Sequence, residues 1–188
     1  TSVLQLPTHT GVAHIWVDGQ GQNRISIVPG ANFALTPQNA IDEVSKLKDV
    51  SVLIAQCEIP QEVTLAAFRT AQELGITTIL NPAPYQPLTD DLLDLTDWLI
   101  PNEIEFAELD KTHRAPDSDA VISSLRSTGR TIVTLGSDGA ALVALDGSVK
   151  RFAAKKVSAT DTTGAGDCFI GAFAAALASG ASEESAVQ

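Results

Sequence analysis

The chain has 188 residues, 44% hydrophobic and 19% charged, which suits one domain with an apolar core. It contains no apolar run of about eighteen residues and no signal-like N-terminus, which argues against a transmembrane or exported protein and predicts a soluble, cytoplasmic one. The formal net charge of −11 argues against nucleic acid or an anionic membrane as the main partner.

Alternating apolar residues predict a β-hairpin over residues 10–28, with its turn at 18–22. The two faces carry Val12, His14 and Trp16 on one side and Ala13, Ile15 and Val17 on the other. Beyond the hairpin, Thr36 and Pro37 supply an N-cap and a first-turn proline. These two residues predict a helix that continues to about Lys48.

From residue 50 onward, short apolar strands alternate with amphipathic helices. The predicted strands are 50–55, 76–80, 98–100, 131–135 and 140–145. The predicted helices are 61–74, 90–97, 103–109 and 118–126. This order implies an α/β fold with a mainly parallel sheet and helices on both faces. Such sheets bind ligands beyond the carboxyl ends of their strands.

The segments that follow four of these strands carry residues suited to a binding site. In the order of the strands, they are Glu58, Asn81, Asn102 and Gly136. Because the carboxyl ends of parallel strands share one edge of a sheet, the loops that hold these residues could converge on one cleft.

Two of these segments also have a purely structural interpretation. Asn102 and Glu105 have the spacing of a capping box ahead of an apolar helix. Residues 134–139 could form a simple turn between two strands, with Asp138 and Gly139 as the turn residues. The residues alone leave the structural and the functional interpretation open for both segments.

Residues 159–178 form a polar, glycine-bearing turn that leads directly into an apolar helical pattern. The buried face of that helix is predicted to carry Phe169, Ala172, Phe173, Ala176 and Leu177. The helix should therefore begin at or just before Asp167, with Gly164, Ala165 and Gly166 as its opening turn. The first N–H groups of a helix lack internal acceptors and lie at the positive end of the helix dipole, so this turn is a natural anion site.

Asp167 has two interpretations. It could be a carboxylate that stabilises the helix dipole by roughly 0.3–1 kcal/mol. It could also be a general base that takes a proton from a hydroxyl as that hydroxyl attacks a phosphoryl group. A dinucleotide-binding turn fits less well, because no third glycine follows at the required spacing. The next residue, Cys168, is interpreted as a small packed side chain.

Both ends of the sequence indicate a fragment. The chain contains no methionine, and residues 181–188 resemble the start of a helix that stops without a cap. We therefore expect that an N-terminal portion and a C-terminal end are missing.

A longer pattern, Asp161-Thr-Thr-Gly-Ala-Gly-Asp167 continuing through Ala172, resembles the C-terminal signature of the ribokinase-like (PfkB-type) carbohydrate kinases. Further resemblances cover most of the chain in the family's order, at residues 30–32, 56–58, 81–84, 101–105 and 134–139. The resemblance implies a mainly parallel sheet flanked by helices, with a small β-hairpin lid. It implies a lid and its hinge at 1–32 and an incomplete nucleotide- and phosphoryl-binding core at 33–188.

The resemblance also implies roles for individual residues. Asp167 would be the catalytic base and would contact both the sugar and the nucleotide, and Glu58 would hydrogen-bond the sugar. The anion hole for the transferred phosphoryl group would be formed by Gly164, Ala165 and Gly166. The other ATP contacts would come from Asn102, Thr134, Leu135, Gly136, Ser137, Asp138 and Gly139. Glu105 would organise hydrated Mg²⁺, and Asp161 and Thr163 would help to bind a monovalent cation, usually K⁺.

The implied reaction is ATP-dependent phosphorylation of a sugar hydroxymethyl group, with D-ribose as the first choice. Fructose, a deoxyketogluconate or a nucleoside are alternative substrates, and a non-catalytic sugar- or nucleotide-binding module is an alternative function. The segments absent from this chain imply that the fragment alone is inactive. Because the hairpin lid forms a dimer in many members of the family, we expect a homodimer.

Overall fold

The computed structural model describes residues 3–17, 23–110, 113–125, 129–158 and 161–188. Within these residues, the predicted hairpin is confirmed as strands β1 (Val12–Val17) and β2 (Asn23–Val28), which form a separate antiparallel sheet. The predicted turn at 18–22 lies outside the described residues. Whether residues 1–32 act as a lid on the remainder stays a prediction.

A second sheet of six strands forms the centre of the fold. In chain order the strands are β3 (Val52–Ala55), β4 (Thr77–Leu80), β5 (Trp98–Leu99), β6 (Arg130–Thr134), β7 (Ala140–Val143) and β8 (Val149–Phe152). The spatial order is the same as the chain order, with β3 to β6 parallel and β7 and β8 antiparallel. The predicted mainly parallel sheet is therefore confirmed, while β8 was not predicted.

The helices connect and cover these strands. They are α1 (Pro37–Val44), α2 (Gln61–Glu73), α3 (Asp90–Asp94), α4 (Glu103–Leu109), α5 (Asp119–Ile122), α6 (Ala165–Ala178) and α7 (Glu183–Val187). Thr36 caps α1 as predicted, in a capping box with Asn39. The described part of the chain contains no helix with the length and apolar character needed to cross a lipid bilayer.

Three predicted helices extend too far. After Val44 the backbone of α1 tightens into i→i+3 hydrogen bonds, and Asp49 then adopts a φ of 58°, so the helix cannot continue to Lys48. The same tightening ends α3 at Asp94 and α5 at Ile122, since the N–H groups of Leu95 and Ser124 also bond three residues back. Arg126, the predicted end of the last of these helices, lies outside the described residues.

Helices cover both faces of the six-stranded sheet, as predicted. On one face, Ile170 and Phe173 of α6 pack in a cluster with Ile79, Trp98 and Ile132. On the other face, the buried residues are supplied by α2 to α5 and by the opposite side of the strands, and they include Phe68, Leu80, Leu92, Phe106, Ile122 and Val133. The alternation of Ile132 and Val133 between the two clusters is the two-residue period of a strand buried on both faces.

The predicted inner face of α6 is wrong in part. Phe173 is buried, and Phe169, Ala176 and Leu177 are half-buried, but Ala172 is exposed. Ile170 and Ala174 are buried instead. The large side chains of Ile170 and Phe173 turn this side of the helix toward the sheet, where the Phe173 ring meets the Trp98 ring edge to face at 4.8 Å between ring centres. Cys168 is likewise exposed, which contradicts its interpretation as a packed side chain.

Candidate active site

The carboxyl ends of β3 to β6 meet at one edge of the sheet. Backbone hydrogen bonds extend the pairing past the strands: the N–H of Asn81 donates to Ala55 O at 2.9 Å, and the N–H of Thr134 donates to Pro101 O at 3.0 Å. Asn102 and Thr134 also form an isolated parallel bridge. The loops that carry Asn81, Asn102 and residues 134–139 therefore leave the sheet side by side, as predicted.

Asn102 and Glu105 do form a capping box at the start of α4. The Asn102 Oδ1 accepts hydrogen bonds from the N–H groups of Ile104 and Glu105, both at 2.9 Å. In return, Glu105 Oε2 accepts from the Asn102 N–H at 2.8 Å, and Glu105 Oε1 accepts from Asn102 Nδ2 at 2.9 Å. The structural interpretation of this pair is confirmed, and it leaves the Asn102 side chain exposed at the loop edge.

The Glu105 carboxyl group is buried and is also bonded to Asn81. Asn81 Nδ2 donates to Ile100 O at 2.8 Å and to Glu105 Oε2 at 3.4 Å, so the side chain connects the ends of β4 and β5 with the start of α4. Burial raises the pKa of Glu105, and the hydrogen bonds from Asn102 and Asn81 partly oppose this rise. Asn81 was predicted to lie at this edge of the sheet, but its bond to Glu105 was not predicted.

The raised pKa of Glu105 predicts the pH dependence of a variant. In the unfolded chain the Glu105 carboxyl group has its ordinary pKa of 4.5, and the folded protein keeps the proton to a higher pH. The contribution of this group to stability therefore falls as the pH rises above 4.5. Glu105→Gln removes that ionisation. In urea titrations, the free energy of unfolding of Glu105→Gln minus that of the parent protein should increase between pH 4.5 and 7.5.

A matched variant separates this effect from a general loss of acidic charge. Glu103→Gln removes an exposed carboxylate from the first turn of the same helix. It should show no comparable trend with pH. A relative stability of Glu105→Gln that stays flat or falls between pH 4.5 and 7.5 would contradict a raised pKa.

Residues 134–139 leave β6 and form a tight turn. Gly136–Asp138 is a single 3₁₀ turn, and the Leu135 side chain is buried beneath it. Gly139 has a φ of 101°, and a Cβ added there would lie 1.8 Å from Phe152 O. Only glycine fits at this position, because the loop backbone packs directly on the end of β8.

The first turn of α6 is open. Gly164 is its N-cap in the left-handed region, with a φ of 73°, and no side chain caps the helix, whereas Thr36, Thr89, Asn102, Ser118 and Ser182 cap α1, α3, α4, α5 and α7. The N–H of Ala165 donates to Thr162 O at 3.1 Å. The N–H groups of Gly164, Gly166 and Asp167 have no acceptor among the described residues, so they remain available to an anion.

The carboxylates near this turn differ in their surroundings. The Asp167 side chain is exposed in the first turn of α6. Asp161 Oδ1 accepts a hydrogen bond from the N–H of Thr163 at 2.8 Å, and this bond lowers the pKa of Asp161. Within the described residues, no group of three or more His, Cys, Asp or Glu side chains is arranged to hold a metal ion.

A cavity of about 460 Å³ joins the loop after β6 to the start of α6. Its walls include Thr134, Gly136 and Gly139 from the loop and Ala165 and Gly166 from the helix. Two predicted parts of the site, far apart in sequence, are thus brought together. The volume is within the range of small-molecule pockets. An ideal Cβ at Gly166 would meet nothing within 4 Å, so a ligand can approach the backbone there.

Other predicted residues do not line this cavity. Asn102 and Glu105 lie beside it through the bridge to Thr134, whereas Leu135 is buried under the loop. Glu58 is exposed after β3, and no hydrogen bond or ion pair of its side chain is found in the part of the chain that the structure describes. The predicted functional roles of all these site residues, and of Ser137, Asp138, Asp161, Thr163, Gly164 and Asp167, stay predictions.

The cavity also contains residues that the sequence did not reveal. Phe152 and Lys155 come from β8 and the segment after it, and Phe169 comes from α6. A strand at Val149–Phe152 has only four residues, two of them basic, so it gave no strong apolar signal. Phe169 was predicted to be an ordinary core residue because its spacing matched the inner face of the helix.

Comparison with known proteins identifies the family to which this fold belongs. The sequence matches the pfkB family carbohydrate kinases over residues 2–188. The chain therefore belongs to this family, and the resemblance seen in the sequence is confirmed.

Ribokinases are among the similar proteins. Ribokinase of Staphylococcus aureus (strain COL) is 38% identical over 172 residues, which are 89% of this chain and 56% of that protein. A ribokinase structure from Thermotoga maritima matches 98% of this chain and 61% of its own, with 37% identity and a TM-score of 0.84. A structure of Arabidopsis thaliana ribokinase complexed with ribose and ATP matches 96% of this chain and 60% of its own, with 29% identity and a TM-score of 0.82. The chain thus spans little more than half the length of these relatives.

Proposed function

We propose that the protein containing this chain is an ATP-dependent sugar kinase that converts D-ribose and ATP to ribose 5-phosphate and ADP. The observation that carries this proposal is the cavity between the loop at 134–139 and the uncapped N-terminus of α6, with an exposed carboxylate, Asp167, in the first turn. The cavity would hold the nucleotide, and the uncapped N-terminus would stabilise the transferred phosphoryl group. The Asp167 carboxylate would take the proton from the sugar hydroxyl.

In the proposed reaction, Asp167 accepts the proton of the sugar hydroxymethyl group while the sugar oxygen attacks the terminal phosphorus of ATP. The new bond is from the sugar oxygen to phosphorus, the bond from phosphorus to the bridging oxygen breaks, and ADP leaves. The N–H groups of Gly164, Gly166 and Asp167, which have no acceptor among the described residues, donate to the transferred group, where the positive end of the helix dipole also acts. The protein therefore works mainly by positioning and charge stabilisation.

Asn102 and the loop Thr134–Gly139 would contact the nucleotide. Glu105 suits a role that acts through water on Mg²⁺, because both its oxygens already accept hydrogen bonds from Asn102 and Asn81. Asp161 and Thr163 would contribute to a K⁺ site. When bound, Mg²⁺ would neutralise charge on the transferring phosphate.

The sugar is proposed by analogy with the relatives, which include a ribokinase complexed with ribose and ATP. Glu58 would hydrogen-bond this sugar. Its exposed position after β3, at the same sheet edge as Asn81 and Asn102, supports that role. We place the protein in the cytoplasm, where its proposed substrates occur.

The experiment is a coupled assay of ADP release by the whole protein. Ribose, fructose, a deoxyketogluconate and adenosine are each supplied as the only acceptor, with and without K⁺. We expect ribose to give the highest kcat/KM and K⁺ to raise it. A higher value for another acceptor would reassign the substrate, and no acceptor-dependent ADP release, together with measurable ligand binding, would instead indicate a non-catalytic binding module.

The hairpin supports the expectation of a homodimer. Ile15, Ile25 and Ile27 lie on one face of it and are 52%, 54% and 47% exposed, while Trp16 on the other face is 59% exposed. A two-stranded sheet with apolar residues on both faces is marginally stable alone. We propose that a second copy covers the isoleucine face.

A charge on that face should separate the two copies. Because Ile25 is already about half-buried in the single chain, its burial in a dimer contributes roughly 0.8–1.5 kcal/mol, and a symmetric dimer loses this twice, so Ile25→Asp should raise the dimer Kd by at least about 10-fold in sedimentation equilibrium. Leu145→Asp, which changes a 63% exposed residue in the loop after β7, is the control. A monomeric parent protein, or an Ile25→Asp dimer as tight as the control, would contradict the proposed dimer.

A further inference from the structure

The side chains that line the cavity described above are uncharged with one exception. Among the described residues that line it, Lys155 is the only one with an ionisable side chain. The chain as a whole carries a formal charge of −11, yet the described residues that line this cavity include a lysine and no aspartate or glutamate. The cavity therefore has the local electrostatics of an anion site.

The backbone fixes where Lys155 lies. Phe152 at the end of β8 pairs with Ala140 of β7, immediately after the loop at 134–139. The close approach of Gly139 to Phe152 O and to the backbone of Ala153 and Ala154 locks this segment against the loop. Lys155 follows directly, so it is carried to the cavity wall by a packed segment and not by a long free loop.

The partners of the neighbouring basic residues strengthen the inference. Lys150 pairs with Glu184, and Arg151 Nε lies 2.7 Å from Asp119 Oδ1. Lys155 is exposed and has no ion pair or hydrogen bond within the residues that the structure describes. The two basic side chains of β8 are thus already paired with carboxylates, whereas Lys155, which lines the cavity, remains available to a ligand.

We propose that Lys155 binds a phosphate group of the nucleotide, as a specificity-determining contact for nucleoside di- and triphosphates. The identity of the anion rests on the proposed kinase function. Lysine provides a compact point charge that suits phosphate. Phe152 and Phe169, which line the same cavity, supply apolar surface for the remainder of the nucleotide. The sequence motifs did not point to Lys155, because it lies outside all of them.

The adjacent lysine provides a matched control. Lys156 is also exposed but does not line the cavity. Calorimetric titration of the whole protein with ADP should show a Kd raised about 10-fold by Lys155→Gln and less than 3-fold by Lys156→Gln, because only the first removes a charge from the phosphate. Lys155→Arg should recover most of the affinity. Adenosine, which lacks phosphate, should bind both glutamine variants equally.

Equal ADP affinity of the two glutamine variants, or an equal loss of ADP and adenosine affinity in Lys155→Gln, would overturn the inference. Failure of the kinase proposal gives a different result. In that case the parent protein binds ADP with the same dependence on Lys155 but phosphorylates none of the sugars. A parent protein that phosphorylates ribose with an unchanged KM for ATP in Lys155→Gln would contradict the Lys155 role alone, and absence of ADP binding would contradict both.

Discussion

Replacement of Asp167 by asparagine should lower kcat for ribose phosphorylation by about 10²- to 10⁴-fold, the range that a positioned general base contributes. Asparagine has nearly the same shape but cannot accept the hydroxyl proton. The side chain is exposed in the first turn of α6 and does not line the nucleotide cavity, so its loss should leave the ATP Kd within a few-fold of the parent value. Single-turnover kinetics and equilibrium ATP binding measure the two quantities separately.

Cys168→Ser is the matched control for this variant. Cys168 is the next residue of the same helical turn and is also exposed, so its replacement tests for disturbance of the helix start without removing the carboxylate. We expect its kcat to stay within about two-fold of the parent value, since exposed substitutions away from a site have small effects. An Asp167→Asn enzyme within a few-fold of the parent kcat would refute the base assignment and leave Asp167 as a helix-dipole carboxylate.

Replacement of Gly139 by alanine should destabilise the fold by about 3 kcal/mol or more and disrupt the nucleotide loop. The added Cβ would lie 1.8 Å from Phe152 O and 2.7 Å from the N atom of Ala154, and both are backbone atoms that cannot rotate away. Strain from the φ of 101° adds to this clash. A domain of this size loses about 2–4 °C in Tm per kcal/mol, so calorimetry should show a fall of roughly 6–12 °C.

Gly147→Ala separates the clash from the backbone strain. Gly147 also has a positive φ, of 80°, but an added Cβ there would meet nothing within 4 Å. Its replacement should therefore cost only about 1 kcal/mol, the usual penalty for a side chain in the left-handed region. Equal losses of Tm in the two variants would show that Phe152 does not pack against the Gly139 backbone.

Local sequence signals predicted much of this fold because each depends on residues that are close in sequence. Thr36 and Pro37 marked the start of α1, and Asn102 with Glu105 marked the start of α4. Gly75, just beyond α2, marked its end. The apolar segments of β3 to β6 indicated parallel strands buried on two faces, and the loops at their carboxyl ends indicated the edge at which Asn102 and Thr134 meet.

The features that escaped prediction depend on contacts between distant residues. The strand β8 exists because Val149–Phe152 pairs with β7, which its own four residues do not signal. Ala172 lies three residues after Phe169, and Ile170 lies three residues before Phe173, so either could share a helix face with an aromatic residue. Only the position of Trp98 and the sheet beneath decides which one is buried. The role of Asn81 similarly requires Ile100 and Glu105, which lie 19 and 24 residues away.

The candidate site also contains residues that a local motif predicts and residues that depend on distant contacts. The glycine turn and Asp167 could be located from one continuous motif, and their exposed, uncapped geometry agrees with that prediction. Lys155 and the cavity it lines could not be located, because the cavity forms only when the segment after β8 packs against Gly139.

The central claim is that Asp167 and the free N–H groups of the α6 opening turn act together on one migrating phosphoryl group. A crystal structure of the whole protein with ribose and a non-hydrolysable ATP analogue tests it most directly. We expect an Asp167 carboxylate oxygen about 2.6–3.2 Å from the sugar's primary hydroxyl, and the terminal phosphate against the N–H groups of Gly164 and Gly166. A nucleotide bound away from the 134–139 loop, or a sugar hydroxyl beyond reach of Asp167, would contradict the account.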